Sequence, residues 1–357
     1  MNSSRKKIGV IMSGVSGRGG METVLEKILD STLLKKSFSF SVILKDPVKY
    51  ADFLTIISKK SNLFYFGTKR RLLSQLCLLK YLLFTKADIL IMTGPKSIYL
   101  AYLVRLVFFK KYLILSWMHF SITDIKIDKN KLRYADFHLA IAEGIREQLI
   151  NLGIDPRKVF LIYNPVEKRR DKIKKCSGNT TKLVYIGRVM LAGQKNMKIL
   201  IDALSIAQTH IKVSLDVYGS GPSISRVMDY AHQRILDDSV TINWHGWSDK
   251  PWTLISEADA LVMTSNYEGF GMVIAESISR GLVAIAPDIL GPNEIIVNNK
   301  NGFLYKANNL EDLVNKILIV RDFSRSINYA SVKKTITKFY EEEYFKNLNK
   351  ILLRIIQ

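Results

Sequence analysis

The feature that most constrains the fold is an alternation of short apolar runs with amphipathic segments of helical periodicity. The strands predicted in the first half are 6–13, 38–45, 62–66, 88–93, 112–117, 136–141 and 158–162. Helical patterns between several of them are 21–35, 69–86, 95–108 and 142–152. Strands that alternate with helices in this way indicate parallel sheets joined by right-handed crossovers.

The alternation stops at 163–182 and then restarts. This stretch combines a proline, a run of charges and a small polar cluster, which is typical of a linker. The strands predicted after it are 182–187, 213–219, 240–244, 259–264 and 282–286. The helices predicted after it are 195–208, 222–235, 249–257 and 271–280. A last helical pattern, 336–356, has no strand after it.

We therefore predict an α/β chain of two Rossmann-like, doubly wound domains. The predicted boundaries are 1–166 for the first domain, 167–181 for the linker, 182–335 for the second domain and 336–357 for a C-terminal helix. A chain of 357 residues is long enough for two domains of ordinary size. Two such domains have one natural ligand site, the cleft that faces the carboxyl ends of both sheets.

Charge is distributed unevenly along the chain. The net charge is +21, and residues 1–180 hold 33 Lys and Arg against 14 Asp and Glu, whereas residues 181–357 hold 20 against 18. A cationic half predicts an anionic partner, either lipid head groups, a phosphorylated glycolipid or nucleic acid. The sequence contains no stripe of interleaved aromatic and basic residues that would stack bases. We therefore expect no nucleic acid partner.

Cysteine content and hydropathy bear on the compartment. Cys77 and Cys176 lack metal-ligand spacing and are too few for a disulfide framework, which fits a reducing compartment. We interpret the short, glycine-interrupted apolar run near the N-terminus as a first buried strand, not as a signal peptide. No stretch reaches the roughly 18 apolar residues of a membrane-spanning helix. A cytoplasmic location is the expectation.

A glycine-rich turn follows the first predicted strand. Gly14, Gly17, Gly19 and Gly20 come before a helix that is predicted to open near Met21. Glycines let a ligand approach the backbone closely, and a helix N-terminus suits a phosphate or a sugar oxyanion. The spacing is not GxGxxG, so a nicotinamide dinucleotide is a weak hypothesis. A tight turn without a ligand remains the alternative.

Two cations stand where a strand leads into a helix in the second half. Arg188 follows the strand that ends at Gly187, and Lys195 stands at the start of the next helix. A guanidinium and an ammonium placed in this way can clamp a diphosphate. The alternative is that both side chains are solvated surface cations. Farther along, Gly246 and Trp247 follow another strand and could border a nucleobase or belong to the core.

Two glutamates eight positions apart follow the strand near 259–264. Glu268 lies in the turn, and Glu276 lies on the helix that begins near Gly271. Carboxylates are good acceptors for vicinal hydroxyl groups, so two at different depths could hold a sugar and a ribose. The alternative is an acid at a helix start followed by a solvated helix glutamate.

Together these segments resemble the family-four glycosyltransferases, retaining enzymes of the GT-B fold that use nucleotide sugars. The resemblance covers nearly the whole chain. It is carried by SGRGGMETVL, YNPVE, YIGRVMLAGQKNMKILIDAL, VYGSGP, SNYEGFGMVIAES and GPNEII. The segments SWMHFS, FHLAIAEGI, LAGQK and GWSDKPW are most similar to the lipopolysaccharide core 1,6-galactosyltransferases within that family.

The resemblance implies the GT-B fold, with a C-terminal helix that crosses back to the first domain, and a role for each matching residue. Arg188 and Lys195 would bind the diphosphate, Glu268 the donor sugar and Glu276 the ribose hydroxyls. His119 would lie near the transferred sugar. The residues whose backbone would line the donor phosphates and sugar are Gly19, Gly20, Phe270, Gly271 and Met272.

The function implied is transfer of a hexose, with galactose from UDP-galactose onto a glucose of the lipopolysaccharide core as the principal hypothesis. No cofactor and no metal ion are expected besides the UDP-sugar donor. The acceptor would be a lipid-linked core at the inner face of the cytoplasmic membrane. The basic residues expected to hold the enzyme to anionic lipid there are Lys69, Arg70, Arg71, Lys110 and Lys111. The alternatives are another UDP-sugar-dependent hexosyl- or N-acetylhexosaminyltransferase, or a sugar-nucleotide epimerase.

Overall fold

The structure is a computed structural model that describes residues 5–123 and 127–356, with the side chain of Arg71 excepted. The chain divides into two compact units. The first unit ends at Pro165 and takes up the chain again from Glu341, and the second is Val166–Tyr340. The segment 167–181, predicted as a linker, lies within the second unit, where Ile173 N donates to Arg280 O at 3.1 Å.

The sheet of the first unit has seven parallel strands in the order β3-β2-β1-β4-β5-β6-β7. The strands are β1 (Lys6–Met12), β2 (Phe38–Leu44), β3 (Asn62–Tyr65), β4 (Ile89–Met92), β5 (Leu113–Met118), β6 (Phe137–Ala140) and β7 (Val159–Leu161). The strand order reverses between β1 and β4. In doubly wound sheets ligands bind outside the carboxyl ends of the strands at such a point.

Helices cover the first sheet. They are α1 (Gly20–Asp30), α2 (Thr32–Ser37), α3 (Asp52–Lys60), α4 (Arg71–Phe84), α5 (Pro95–Val107), α6 (Glu143–Asn151) and α13 (Glu341–Ile356), with 3-10 turns at Lys129–Tyr134 and Pro156–Lys158. The helix predicted over 21–35 is divided because Ser31 accepts the N–H of Leu34 and starts α2. The C-terminal helix α13 packs on α2.

The sheet of the second unit has six parallel strands in the order β10-β9-β8-β11-β12-β13. The strands are β8 (Thr180–Ile186), β9 (Lys212–Tyr218), β10 (Val240–Gly246), β11 (Ala260–Val262), β12 (Val283–Pro287) and β13 (Gly302–Tyr305). Here the order reverses between β8 and β11. Both sheets therefore follow the same doubly wound topology, and the predicted α/β fold class is confirmed.

The helices of the second unit are α7 (Met197–Ala207), α8 (Ile224–Arg234), α9 (Met272–Ser279), α10 (Pro292–Ile295), α11 (Leu310–Ser326) and α12 (Tyr329–Lys334), with 3-10 turns at Pro251–Thr253 and Thr337–Phe339. The helix predicted over 249–257 is wrong. Pro251 supports only a 3-10 turn there, after which the chain continues irregularly to β11. Strand β13 and helix α11 were not predicted from the sequence.

Apolar residues of the strands form both cores. All five residues of β12 and all four of β4 are buried, which fits strands covered on both faces of a parallel sheet. In the described part of the chain no helix combines the length and hydropathy needed to cross a membrane.

Candidate active site

Glycine backbones pack directly against each other at the carboxyl ends of β8, β9 and β10. A Cβ atom on Gly219 would lie 1.8 Å from Gly187 O, and one on Gly221 would lie 2.0 Å from Val189 O. Gly219 N donates to Gly246 O at 2.7 Å, and Gly246 has a positive φ of 72°. Only glycine permits this spacing, so the backbones of the three strand ends lie in direct contact.

Lys195 and Glu268 form an ion pair at this edge. Lys195 Nζ lies 2.5 Å from Glu268 Oε1, and the two side chains are only 18% and 12% exposed. The ion pair is therefore largely removed from solvent, where electrostatic interactions are stronger than at the surface. The structure thus brings together two residues that the sequence places 73 positions apart.

Hydrogen bonds hold Lys195 in this position. Asn266 N donates to Gln194 O at 2.8 Å, and Asn266 Nδ2 donates to Gly193 O at 2.7 Å. Thr264 Oγ1 donates to Lys195 O at 3.1 Å. The long loop before α7 is therefore fastened to the turn that carries Glu268. No sequence pattern indicated the role of Asn266.

Arg188 shares the neighbour Tyr185 with Glu268. Its guanidinium is exposed and has no hydrogen-bond or ion-pair partner within residues 5–123 and 127–356. The buried Tyr185 hydroxyl donates to Arg188 O at 2.8 Å. Burial raises the pKa of Tyr185, the Glu268 carboxylate raises it further, and the Arg188 guanidinium lowers it. Arg188 and Glu268 are therefore within electrostatic reach of one phenol.

Glu276 has one carboxylate oxygen already engaged. Trp252 Nε1 donates to Glu276 Oε2 at 2.9 Å. Arg280 stacks on the Trp252 ring at 4.9 Å and donates from Nη1 to Glu276 O at 2.9 Å. The indole fixes the carboxylate and leaves Oε1 without an intramolecular donor in the described part of the chain, so it can accept from a ligand. Nothing in the sequence identified Trp252.

Helix α9 begins without a side-chain cap. Gly271 is the N-cap, with a left-handed φ of 95°, and no side chain accepts from the first turn. The free N–H groups and the positive end of the helix dipole suit an anion. Phe270 is 2% exposed and its ring packs on Phe339, so the ring belongs to the core and its backbone precedes the N-cap. Met272, the first residue of α9, is half-buried.

In the first unit, Glu22 organises the glycine-rich turn. Its Oε1 accepts from Ser16 N at 2.9 Å and from Gly17 N at 3.0 Å. Gly17 has a positive φ of 96°, and a Cβ atom on Gly19 would lie 2.7 Å from Glu22 Oε2. Glu22 is the third residue of α1, the position from which a glutamate reaches back in a capping box. That spacing was a usable signal that the sequence analysis missed.

Gly19 and Gly20 therefore start α1 beside a carboxylate. Gly19 is the N-cap in extended conformation, with a φ of −175°, and Gly20 is the first residue of the helix. Glu22 occupies part of the space above them, so this turn is better suited to neutral sugar oxygens than to a free phosphate. The structure places the predicted glycines at the helix start, as expected.

His119 lines a small cavity at the carboxyl ends of β1, β4 and β5. The cavity has a volume of about 40 Å³, and Ser13, Thr93 and Met118 also line it. His119 is 7% exposed, its ring contacts Trp117 edge-on at 4.1 Å, and its Nε2 has no partner in the described residues. Burial lowers the pKa of His119 to about 3, so the imidazole is neutral at physiological pH.

The predicted residues thus fall into two groups. Gly19, Gly20 and His119 lie in the first unit, and the others lie in the second unit. In the second unit Lys195 and Glu268 are in contact, Arg188 is within their electrostatic reach, and Glu276 belongs to a separate group with Trp252. Trp247 is 41% exposed, so it is a surface residue next to Gly246.

The chain is similar to known proteins over almost its whole length. A family model described as "Glycosyl transferases group 1" matches residues 167–323. The chain is 31% identical to the lipopolysaccharide 1,6-galactosyltransferase of Escherichia coli (strain K12), with 98% of this chain and 99% of that protein covered. It is also 31% identical to the protein of the same name from Salmonella typhimurium (strain LT2), with the same two shares covered.

A solved structure agrees with these relatives. The lipopolysaccharide outer core galactosyltransferase WaaB in its apo form superposes with a TM-score of 0.83 and is 28% identical in sequence. The match covers 98% of this chain and 99% of that chain. Both units of the present structure, and not only the matched family segment, are therefore included in the similarity.

Proposed function

The chain belongs to the group 1 glycosyl transferases, and we propose that it transfers galactose from UDP-galactose to a glucose of the lipopolysaccharide core. The enzyme class itself, a glycosyltransferase, follows from the family. The proposed linkage is α-1,6, formed with retention at the anomeric carbon. The observation that carries the proposal is the full-length similarity to lipopolysaccharide 1,6-galactosyltransferases.

The second unit would bind the donor. Arg188, Lys195 and the uncapped start of α9 offer positive charge to a diphosphate, and Glu268 and Glu276 offer acceptors to sugar and ribose hydroxyls. Glu268 has a second task, because its carboxylate holds the Lys195 ammonium at 2.5 Å. A ligand phosphate would share Lys195 with Glu268, which keeps the ammonium oriented between the two anions.

In the proposed reaction the bond between the anomeric carbon and the UDP oxygen breaks, and the acceptor hydroxyl forms its bond on the same face. The hydroxyl proton passes to an oxygen of the leaving diphosphate, and UDP departs. Arg188, Lys195 and the α9 N–H groups stabilise the charge that develops on the diphosphate. His119 acts as a neutral hydrogen-bond partner for a sugar hydroxyl, since the pKa of about 3 excludes a protonated imidazole near neutral pH.

We propose that transfer needs no metal ion, because these cations and helix N–H groups supply the positive charge. Treatment with EDTA should leave the initial rate unchanged. A loss of rate that added Mg²⁺ or Mn²⁺ restores would contradict this part of the proposal.

The decisive experiment offers radiolabelled UDP-galactose, UDP-glucose and UDP-N-acetylglucosamine to the full chain with truncated lipopolysaccharide cores. We expect label on the core only from UDP-galactose, with an α-1,6 linkage to glucose by NMR. Transfer from another donor instead would replace galactose with that sugar. Conversion of the donor to its epimer without any acceptor would favour an epimerase, the second candidate on this fold.

We also propose that the first unit rests on the anionic inner face of the cytoplasmic membrane. The neighbouring helices α4 and α5 carry large apolar side chains in solvent. The exposed apolar residues of these helices and the turn after α5 are Leu72, Leu73, Leu76, Phe84, Leu103, Leu106, Val107, Phe108 and Phe109. Exposed basic residues beside them are Lys69, Arg70, Lys80 and Lys111. Apolar and cationic groups on one surface suit the interface of an anionic bilayer.

Vesicle sedimentation tests the membrane partner. The chain should bind phosphatidylcholine vesicles that contain phosphatidylglycerol more tightly than pure phosphatidylcholine vesicles, and salt should weaken the binding. Phe109, which is 88% exposed, offers a clean variant, because Phe109→Ser removes apolar surface without opening the core. Lys110 is half-buried, and the side chain of Arg71 lies outside the described part. Equal binding to both vesicle types would contradict the proposal.

A further inference from the structure

A second, larger cavity lies in the first unit, and none of the predicted site residues lines it. Its volume is about 450 Å³, within the range of pockets that bind small molecules. It is bounded by the chain after β2, the start of α4, the start of α5 and the 3-10 turn Lys129–Tyr134. The lining residues are Lys45, Asp46, Ser74, Gln75, Lys96, Tyr99 and Lys131.

Lys45 is the most informative of these residues. It follows β2 directly and is only 9% exposed. Its ammonium has no hydrogen-bond or ion-pair partner in residues 5–123 and 127–356. Most of the Lys45 side chain is buried, and charges in such positions are normally paired because lost hydration costs free energy. The cavity that Lys45 lines is therefore the place where an anion would complete its environment.

The rest of the lining is cationic and rich in hydrogen-bonding groups. Lys96 is exposed in the first turn of α5 and likewise has no ion-pair partner in the described part. Lys131 is paired with Asp128 at 2.7 Å. Asp46 is the one acid of the lining, and its Oδ2 already accepts from Gly14 N at 3.0 Å. Two unpaired ammonium groups thus face the space.

Neutral polar groups stand beside these cations. The Ser74 hydroxyl is buried and donates to Lys45 O at 3.4 Å. Gln75 adds an amide and Tyr99 a phenol, and the Tyr99 ring is held by Tyr134 at 4.7 Å. Amide and hydroxyl groups next to ammonium groups suit a ligand that carries both a phosphate and sugar hydroxyls.

We propose that this cavity binds a phosphorylated sugar unit of the acceptor, with the phosphate on Lys45 and Lys96 and the sugar hydroxyls on Gln75 and Tyr99. The inference rests on the proposed function, since it assumes a saccharide acceptor in the first unit. Two ammonium groups and a phosphate monoester form hydrogen bonds in which both partners are ionised, and an uncharged sugar offers no such acceptor. The site therefore selects acceptors that carry a phosphate.

Calorimetric titration of the full chain with glucose 6-phosphate and with glucose tests the site. Glucose 6-phosphate should bind at least about 10-fold more tightly than glucose. Lys45→Met and Lys96→Met should each weaken glucose 6-phosphate about 10-fold, whereas Lys59→Met, a change of an exposed lysine on α3, should not. UDP affinity should be equal in all four proteins. Because Lys96 is exposed, its replacement tests the site without disturbing the core.

Equal affinity for glucose and glucose 6-phosphate, or wild-type affinity in both Lys45→Met and Lys96→Met, would overturn the proposal. If these variants weaken sedimentation with phosphatidylglycerol vesicles but keep glucose 6-phosphate binding, the phosphate is that of a lipid and the saccharide assignment is wrong.

A kinetic test separates this inference from the proposed function. The wild type should show a higher KM for phosphatase-treated core than for phosphorylated core, and Lys45→Met should abolish that difference while kcat changes little. Transfer from UDP-galactose with the same KM for both cores would contradict the phosphate site and leave the proposed function intact. Binding of glucose 6-phosphate without transfer from UDP-galactose would sink the proposed donor and support the phosphate site.

Discussion

The two sheets have the same strand order, but the charged side chains at their carboxyl edges are paired differently. In the second unit, Lys195 forms an ion pair with Glu268, and glycine backbones pack against each other around Gly219. In the first unit, Lys45 is buried without a partner in the described residues, and the carboxylates of Glu22 and Asp46 accept from backbone N–H groups of the glycine-rich turn. One topology thus carries two kinds of ligand surface, because the loops and not the sheet choose the chemistry.

The difference has a physical meaning. A cation that is held by its own acid keeps its position when a ligand leaves, so the proposed donor site would be organised in advance. A buried cation without an acid would depend on a ligand for a partner, so the proposed phosphate site would favour anions. The charge counts of the two halves, strongly positive in 1–180 and nearly balanced in 181–357, reflect the same division.

We expect the largest effect on activity from removing the carboxylate that pairs with Lys195. Glu268→Ala should lower kcat for galactose transfer about 10²- to 10³-fold, since the donor sugar loses an acceptor and Lys195 loses the group that orients it. Initial rates with UDP-galactose measure this. The control is Glu257→Ala, which removes the partner of Lys182 on the surface of the same unit. A Glu268→Ala rate close to the wild type would remove Glu268 from the site.

The second largest effect, on stability, is expected where glycine backbones pack against each other. Gly219→Ala places a Cβ atom against a backbone oxygen that cannot rotate away, and we expect the second unit to lose about 3 kcal/mol of unfolding free energy. Gly14→Ala in the first unit meets open space and bears only the strain of its φ of 70°, about 1 kcal/mol. Urea denaturation, together with amide exchange in each unit, measures the unfolding free energy that each variant loses. Equal losses would mean that the contact is relieved by backbone movement.

A smaller effect is expected at the turn of the first unit. Glu22→Gln replaces a carboxylate that accepts from Ser16 and Gly17, and should cost about 1–2 kcal/mol of local stability. Amide exchange of residues 14–20 should accelerate, whereas exchange at the edge of the second unit should not change. Glu26→Gln, a change at a half-buried position on the same helix, is the control. Unchanged exchange over 14–20 would show that the turn is held without Glu22.

The smallest expected effect is a difference between the two units in how their stability depends on pH. Burial lowers the pKa of His119 to about 3 and that of His138 to about 4, and both lie in the first unit. Below pH 6.5 the unfolded chain therefore binds protons that the native unit does not, and stability falls as the pH drops toward 4. From pH 7 to pH 6 we expect the first unit to lose about 1 kcal/mol.

Amide exchange in each unit, corrected for intrinsic rates, checks this pH dependence. The three histidines of the second unit, His210, His232 and His245, are all exposed. His138→Asn should reduce the slope for the first unit and leave the slope for the second unit unchanged. Equal slopes for the two units in the wild type would contradict the assignment to buried histidines.

The fold class could be predicted from the sequence because strands of a parallel sheet are covered on both faces. Such strands therefore consist of continuous apolar runs, which the sequence shows directly. Sequence reasoning failed at 249–257, where Pro251 permits only a 3-10 turn, and it did not predict β13, although other strands of three or four residues were predicted. It found Glu268 and Lys195 separately, since each stands in a recognisable segment. It missed Trp252 and Asn266, whose partners are distant in the sequence.

The amino-acid sequence by itself determined two α/β units, the glycine-rich turns and the residue types available at each strand end, because these depend on local periodicity and backbone freedom. Only the tertiary structure decided which charges meet. Lys195 has an acid at 2.5 Å and Lys45 has none in the described part of the chain, although both are lysines that stand between a strand and a helix. The reason is that ion pairing depends on distances between segments, which the chain sets only when it folds.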